Sequence, residues 1–253
     1  MGYKKLFSTV HPEANIDGFT VHDSAVAFYS LVRAAILQTD ATNILDYGAG
    51  RGSFWYINTK EEGSLLRKSL RDLRSPGRTV TACDIDPAVL EHPCSQRQLQ
   101  IYPRQPLPFA DESFDLIVSD MVVDHVENPQ EVCAELLRVL RPGGFVCLRT
   151  PNKWSYVPLA ATLVPNRLHA KALTTIQPNR QEKDVFPTFY RMNTTRQLCN
   201  LFKGNSVHVT KFFADPAYHF NSTLVFRLFR ILHWLLPRPF APVMFAFIRK
   251  AGD

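Results

Sequence analysis

Residues 44–52, ILDYGAGRG, constrain the fold of this chain more than any other segment. A short apolar strand ends in Asp46 and runs directly into glycines at the alternate positions 48, 50 and 52. Because glycine accepts any φ and has no Cβ, such a loop brings bare backbone against a ligand. The dinucleotide-binding pattern GxGxxG would need a glycine at 53, where this chain has Ser53. The segment therefore predicts an α/β unit with a ligand loop of another type.

A second acidic residue, Asp84, ends the apolar and β-branched run TVTACD. At the end of the second strand of an α/β unit, an acidic residue can accept hydrogen bonds from both hydroxyls of a ribose. Asp86 and Pro87 follow it and predict the N-cap and the first residue of a helix. Since Asp84 lies further beyond Gly52 than the roughly 20 positions of a compact unit, we expect an inserted segment between them.

The third element is LPFADESFDLIVSDMVVDHV at 107–126. Its continuous apolar run at 114–118 is typical of a parallel strand covered on both faces, and it predicts the fourth strand. Asn128, Pro129 and Glu131 then predict a helix that begins with a capping box. The RPGG sequence ends that helix and leads into a predicted fifth strand at 144–150.

Together these elements resemble the class I S-adenosylmethionine-dependent methyltransferases, and among them the type 11 group that methylates small molecules. The resemblance is close over about residues 40–152 and looser elsewhere. It implies an α/β, Rossmann-like three-layer sandwich with a mostly parallel seven-stranded sheet, an antiparallel last strand and helical cap elements. It also implies S-adenosylmethionine as the cofactor and S-adenosylhomocysteine as the product. The residues assigned to the cofactor are Asp46, Gly48, Gly50, Arg51, Gly52, Asp84, Ile85, Ser119 and Asp120.

In this family the glycine loop passes under the methionine part of the cofactor, and the first aspartate, here Asp46, reaches its amino group. Asp84 would hold the ribose and Ile85 would pack on the adenine. One family feature is missing, because relatives commonly have an acidic residue shortly before LPF that bonds the adenine amino group, whereas this chain reads IYPRQPLPF. Gln105 or a backbone carbonyl is the alternative partner for that group.

The strand end SDMV lacks the DPPY-type tetrapeptide with which related enzymes hold the amines of nucleobases, which disfavours base methylation. His125 is the candidate general base, since histidine titrates near neutral pH and Asp124 or Asp120 would orient it. The alternative is that His125 only shapes the pocket. The candidate acceptor-binding residues are His22, Met121, Trp154, Tyr190 and Arg191.

The resemblance thus implies methyl transfer, by in-line displacement, to an oxygen or nitrogen atom of a small molecule such as a specialised metabolite or a saccharide. Two other classes stay open. One is a methyltransferase-like partner subunit without catalysis. The other is an NAD(P)-dependent reductase, which Ser53 disfavours.

Composition agrees with a single domain over residues 1–253, because 45% of the residues are hydrophobic. The net charge of +6 would attract acidic partners, although a modest excess is common without them, and we expect no nucleic-acid partner. Five cysteines without CxxC spacing and eight histidines without HExxH spacing support neither a disulfide framework nor a metal. With no apolar run of roughly 18 residues and no signal peptide, we expect a soluble, cytoplasmic monomer or homodimer.

Four further segments surround the predicted core. Residues 1–22 precede a helix capped by Asp23 and are predicted to form a lid that excludes water, or else a packed terminus. Residues 60–74 predict a helix with a solvated basic face. Residues 151–195 and 214–240 are predicted to be insertions on the substrate side or at an interface.

The C-terminal part predicts a pair of strands, at 207–213 and 243–249, with a helix between them at 223–236. That helix is broadly apolar, with a narrow polar stripe of Arg227, Arg230 and His233. It would dock on the core, cap the site or form a dimer contact. Peripheral contact with a membrane surface is a further alternative, whereas stable membrane insertion is not expected.

Overall fold

The structure, a computed structural model, describes residues 8–52, 64–156, 158, 187–216 and 222–252. The strands are β1 (Asn43–Tyr47), β2 (Thr79–Asp84), β3 (Arg97–Gln100), β4 (Phe114–Asp120), β5 (Leu140–Pro151), β6 (Ser206–Phe212) and β7 (Val243–Arg249). The α-helices are α1 (Ala14–Asp17), α2 (Ser24–Thr39), α3 (Leu65–Arg71), α4 (Pro129–Val139), α5 (Thr195–Leu201) and α6 (Thr223–Leu235). Short 3-10 turns lie at Pro87–Glu91, Val123–His125 and Arg238–Phe240.

All seven strands form one sheet in the order β3-β2-β1-β4-β5-β7-β6. The neighbours from β3 to β5 pair in parallel, and β7 lies antiparallel between β5 and β6. The predicted fold is confirmed, including the antiparallel last strand. The strand order reverses between β1 and β4, and in such sheets ligands bind in the crevice beyond the carboxyl ends of these strands.

Apolar side chains cover both faces of the sheet. One face packs against Leu136 of α4 and Leu198 of α5, and the other packs against Phe28 and Val32 of α2. Leu116, in the middle of β4, is fully buried. The continuous apolar run of this strand therefore reflects burial on both sides, as predicted for a parallel sheet.

Local sequence predicts most element starts. Asp23 caps α2, since its Oδ1 accepts hydrogen bonds from the backbone N–H groups of residues 25 and 26 at 2.9 and 3.1 Å. Helix α4 begins at Pro129, but Asn128 makes no side-chain cap, so the predicted capping box is wrong. Strand β5 begins at Leu140, because Leu140 pairs with Phe114 before the register shifts. The RPGG sequence therefore lies inside this strand.

The predicted solvated basic face of residues 60–74 is wrong for its described part. Arg67 pairs with Asp23, and Arg71 lies 3.2 Å from an oxygen of Asp120. The guanidinium of Arg71 also stacks over the ring of Tyr29, 5.4 Å from its centroid. The carboxylates come from segments distant in sequence that pack against α3, so helix periodicity alone could not reveal them.

Parts of four predicted segments lie outside the described residues, namely positions 1–7 of the lid, positions 60–63 of the predicted basic helix, most of the 151–195 insertion and positions 217–221 of the 214–240 insertion. None of the described helices is long and apolar enough to cross a bilayer. Within the described ranges, no group of three His, Cys, Asp or Glu side chains is arranged to hold a metal ion.

Candidate functional site

The glycine loop leaves β1 with a left-handed backbone at all three predicted positions. Gly48, Gly50 and Gly52 have φ values of 77°, 56° and 63°. A Cβ at position 48 would lie 2.9 Å from the Cβ of Val122, and one at position 52 would lie 2.7 Å from Cδ of Pro93. Real side chains rarely approach so closely, and L-residues rarely adopt these φ values. The tight packing of the loop therefore requires glycine at 48 and 52.

Asp84 lies at the end of β2 and contacts this loop directly. Its Oδ2 accepts a hydrogen bond from the backbone N–H of Gly50 at 2.7 Å, and its Oδ1 accepts one from Asp86 at 2.8 Å. Burial raises the pKa of Asp84, although these hydrogen bonds oppose the rise. Each carboxylate oxygen has a further lone pair that a ligand hydroxyl can use. The structure thus brings Asp84, the residue predicted to bind the ribose, and the glycine loop together.

Asp46 lies near the middle of the same edge of the sheet. The strand register pairs it with Ala82 of β2 and with Val118 of β4. Burial, and after it the negative charge of Asp120, raises the pKa of Asp46 to about 7. A cationic ligand group prefers the ionised form of this carboxyl, so its binding would draw off the proton near neutral pH.

Asp46 should make stability depend on pH. Between its ordinary pKa of 3.8 and its folded value of about 7, the folded protein keeps a proton that the unfolded chain loses. Stability is therefore lost as the pH rises towards 7. We expect Asp46→Asn to raise the thermal unfolding midpoint, relative to the parent protein, more at about pH 8 than at about pH 5.

Asp115→Asn is the matched control, because burial raises the pKa of Asp115 but hydrogen bonds from Asn43 and Thr42 outweigh it and lower the net value. This substitution should lower the unfolding midpoint at both pH values. An equal shift for Asp46→Asn at both pH values would contradict the proposed titration.

Asp120, at the end of β4, has its carboxylate occupied by arginines. Arg149 donates from Nε and Nη2 at 2.5 and 2.9 Å, and Arg71 adds a longer ion pair. Burial raises the pKa of Asp120, but the charges of Arg149 and Arg71 outweigh it and hold the pKa below its usual value. Arg149 also donates to the hydroxyl of Ser24 at 2.9 Å. The described role of Asp120 is therefore to anchor a buried ion pair, and its contact with the cofactor stays a prediction.

Sequence reasoning missed Arg71 and Arg149 as parts of this site. The sequence does indicate that Arg149 is unusual, because it is a charged residue within the predicted buried strand at 144–150. A charged side chain in such a strand requires a buried partner. The partner is Asp120, which faces Arg149 directly in the register of β4 and β5.

Ser119 and Met121 flank Asp120 in different surroundings. Ser119 is fully buried, and its hydroxyl has no hydrogen-bond partner among the described residues. Met121 has a φ of 59°, and its side chain stays 37% exposed. Left-handed residues other than glycine are uncommon and cluster at functional sites. Met121 is thus open to a ligand, whereas Ser119 lies in the core and its cofactor contact stays a prediction.

His125 lies in the 3-10 turn that follows β4. Its Nδ1 is 2.9 Å from the carbonyl oxygen of Pro187, and its Nε2 is 3.6 Å from Oδ2 of Asp124. Since a carbonyl only accepts, Nδ1 carries a hydrogen, and Nε2 carries the lone pair when the ring is neutral. Of the two aspartates predicted to orient this ring, Asp124 is the one beside it.

The N-terminal segment is fastened to the helix that follows the glycine loop. Asp17 accepts hydrogen bonds from the hydroxyl of Ser64 at 2.8 Å and from the backbone N–H groups of Leu65 and Leu66 at 2.8 and 2.7 Å. Asp23 adds its ion pair with Arg67. These contacts hold residues 17–23 against α3.

His22 belongs to the same segment and contacts the C-terminal part of the chain. Its ring lies 5.8 Å from that of His11, and its carbonyl accepts a hydrogen bond from Asp215 at 3.2 Å. Burial, and then the charge of Arg230, lowers the pKa of His22. The contact of His22 with an acceptor stays a prediction.

The remaining predicted acceptor residues flank the undescribed part of the 151–195 insertion. Trp154 is 52% exposed. Tyr190 has a φ of 51°, and its backbone N–H donates to the carbonyl of Asp124 at 3.3 Å. Arg191 donates to the carbonyl of Glu127 at 2.5 Å. The structure thus brings Tyr190 and Arg191 to the loop that carries His125.

A cleft of about 340 Å³ opens beside Ile85, the residue predicted to face the adenine. Its walls also include Tyr47, Tyr102, Gln105 and Glu131. Its volume lies within the range of small-molecule pockets. Sequence reasoning missed Tyr47 and placed Glu131 in a capping box, since no motif marks either residue as a cleft residue. Arg51 remains in the glycine loop, partly buried.

Residues 63–148 match a family model described as a methyltransferase domain. The matched part begins after the glycine loop and includes β2 to β4 and most of β5. The loop and its three left-handed glycines are therefore an observation separate from this match.

Two curated relatives match about half of the chain. A malonyl-[acyl-carrier protein] O-methyltransferase of Pseudescherichia vulneris is 32% identical over 145 residues, which cover 55% of this chain and 52% of that protein. A biotin biosynthesis bifunctional protein of Teredinibacter turnerae is 30% identical over 139 residues, which cover 51% of this chain and 22% of that protein. The chain thus spans about half the length of the first relative and about a fifth of the second.

Solved structures of low sequence identity share the fold. The plantazolicin methyltransferase in complex with a substrate analogue and S-adenosylhomocysteine has a TM-score of 0.50 at 14% identity, covering 90% of this chain and 83% of that one. The CurJ carbon methyltransferase has a TM-score of 0.53 at 11% identity, covering 90% of this chain and 54% of that one.

Proposed function

We propose that this chain is an S-adenosylmethionine-dependent methyltransferase of the class I fold and that it transfers a methyl group to an oxygen or nitrogen atom of a small molecule. A specialised metabolite or a saccharide is the proposed acceptor class. The observation that carries the proposal is the direct contact between Asp84 and the glycine loop, at the carboxyl ends of two adjacent strands.

The residues around this contact suit S-adenosylmethionine. At Gly50 the one described atom within 4 Å of an added Cβ is Oδ2 of Asp84, at 4.0 Å, so a ligand beside Asp84 would meet bare backbone there. Asp84 would accept hydrogen bonds from the ribose hydroxyls, and Asp46 in its ionised form would accept one from the ammonium group. When bound, the cofactor supplies an electrophilic methyl group on a positively charged sulfur. Because aligning two reactants can lower a barrier by roughly 7–11 kcal/mol, the main tasks of the chain are binding and orientation.

Titration calorimetry with S-adenosylmethionine and S-adenosylhomocysteine tests this function. We expect the parent protein to bind both ligands. Asp84→Ala should weaken binding by about 1.5–3 kcal/mol, because it removes hydrogen bonds to a charged acceptor. Asp86→Ala is the matched control, since Asp86 caps the Pro87–Glu91 turn through Ala88 and should affect stability more than affinity.

A folded parent protein that gives no heat with either ligand would overturn the enzyme function and leave a non-catalytic subunit. If the parent binds both ligands and Asp84→Ala binds them equally well, the ribose site lies elsewhere.

We propose His125 as the general base for acceptors that lose a proton as they attack. The hydrogen bond to Pro187 leaves Nε2 as the basic nitrogen, beside Asp124. His125→Ala should lower turnover at least about tenfold, since general bases contribute ~10² to 10⁴. Affinity for the cofactor should not change. Formation of S-adenosylhomocysteine with a panel of small acceptors measures turnover, and a smaller loss would support a positioning role.

We propose that residues before Asp23 form a lid and that the 151–195 insertion supplies acceptor contacts. The contacts of Asp17 with α3 support the first proposal, because they hold the segment against the first turn of that helix. The position of Tyr190 next to Asp124 supports the second. A lid would exclude water from the reacting centre.

The O-methyltransferase relative supports oxygen as the attacked atom, although it matches over only 52% of its length. The reductase alternative has no support, since the family match and these relatives' folds are those of methyltransferases.

A further inference from the structure

Helix α6 turns much of its polar stripe towards the protein. The Nε2 atom of His233, which is 8% exposed, lies 3.0 Å from the hydroxyl of Tyr156. Arg230 forms an ion pair with Asp215 at 3.3 Å, and Phe226 is fully buried. Positions 226, 230 and 233 follow the i, i+4, i+7 spacing of one helix face. This face anchors the helix to the rest of the protein.

The opposite face of α6 is apolar and exposed. Leu224, Leu228, Ile231 and Leu235 share one stripe, and their exposed fractions are 68%, 57%, 54% and 64%. Trp234, beside this stripe, is 83% exposed. A surface helix of a soluble domain normally has the reverse arrangement, and exposed apolar patches mark interaction sites. We call these five side chains the apolar face.

The segment of sequence that contains the apolar face carries only positive charges. No Asp or Glu occurs between Asp215 and Asp253, a stretch that contains four arginines and one lysine. Arg227 and Arg238 are exposed, on the helix and just beyond its end. Exposed leucine and tryptophan side chains beside cations are the pattern of helices that lie in the interface of an anionic bilayer.

We propose that the apolar face of α6 docks on an anionic lipid bilayer, with the helix lying in the plane of the headgroups. The helix has 13 residues, too few to span a bilayer, so the contact would be peripheral. A second copy of this chain fits the face less well, because a two-fold contact places the same patch on both sides. It would bring Arg227 and Arg238 towards their own copies, with no acidic residue in the segment to pair with them. The proposal does not depend on methyl transfer.

Vesicle flotation of the full chain tests this contact. We expect binding to vesicles that contain phosphatidylglycerol, much weaker binding to pure phosphatidylcholine, and a loss of binding at high salt. The double variant Leu228→Glu with Ile231→Glu should lower the vesicle-bound fraction at least about tenfold. Leu37→Glu is the matched control, since Leu37 is a 76% exposed leucine on α2, and it should bind as the parent does.

Tryptophan fluorescence gives a second measurement that needs no charge-introducing variant. The emission of the parent should shift to the blue on anionic vesicles, and Trp234→Phe should remove most of that shift. Failure of the parent to bind either kind of vesicle would overturn the proposal. An equal loss of vesicle binding in Leu37→Glu would also overturn the proposal. So would sedimentation without lipid that shows the parent as a dimer and the double variant as a monomer.

Discussion

Asp120→Ala is expected to destabilise the protein by about 3–5 kcal/mol, the cost of breaking a buried ion pair. Arg149 is 8% exposed, and both of its contacts with Asp120 would be lost. Its guanidinium would then be buried with only the hydroxyl of Ser24 as a described hydrogen-bond partner of its side chain. For a chain of this length, the thermal unfolding midpoint should fall by about 6–20 °C.

Two further variants separate burial from charge. Glu127→Ala breaks an exposed pair, since Arg104 and Glu127 are 69% and 51% exposed, and it should cost less than about 1 kcal/mol. The double variant Asp120→Leu with Arg149→Met should recover much of the loss, because apolar residues can replace a buried pair at little cost. An unfolding midpoint for Asp120→Ala equal to that of Glu127→Ala would show that the Asp120 pair contributes no more than an exposed one.

Gly48→Ala is expected to destabilise the protein by about 2–5 kcal/mol and to abolish cofactor binding. The left-handed backbone alone costs an alanine about 1–2 kcal/mol. The new methyl group would also clash with both Cγ atoms of Val122 and lie 2.9 Å from its Cβ, and overpacking of this kind costs about 1–3 kcal/mol. Thermal unfolding and titration with S-adenosylhomocysteine measure the two effects separately.

Gly77→Ala is the matched control for backbone strain. Gly77 has a φ of 75°, almost the same as the 77° of Gly48, but no atom of the described residues lies within 4 Å of a Cβ placed there. Gly77→Ala should therefore lower stability only by the cost of the left-handed backbone. Adding Val122→Ala to Gly48→Ala should remove the contacts with both Cγ atoms of Val122 and recover part of the stability. Equal losses for Gly48→Ala and Gly77→Ala would mean that the loop yields to the added methyl group.

Features that depend on residues close in sequence were predicted well. The spacing of the glycines after Asp46 indicates the left-handed loop, because only glycine adopts such a backbone without strain. The apolar run of β4 indicates burial on both faces, and Asp23 indicates the start of α2. Asp84 was predicted to bind the ribose from its position at the end of the second strand, and the structure places it beside the loop.

Features that depend on contacts between residues distant in sequence were not predicted. Glu131 follows the capping-box pattern, yet it lines the cleft beside Ile85, since Asn128 makes no side-chain cap. The helical pattern of α3 predicts that its basic residues face solvent. Two of them, at positions 67 and 71, instead form ion pairs with carboxylates outside their own helix, at positions 23 and 120.

Local spacing and backbone preference are enough to predict the order of the strands along the chain, the glycine loop and the acidic residues at two strand ends. The three-dimensional fold is needed to pair Asp120 with Arg149, since that contact depends on the register of β4 against β5. It also decided which side of α6 faces outward. Helix periodicity defines two faces, but the positions of Asp215 and Tyr156 draw Arg230 and His233 inward and leave the leucines exposed.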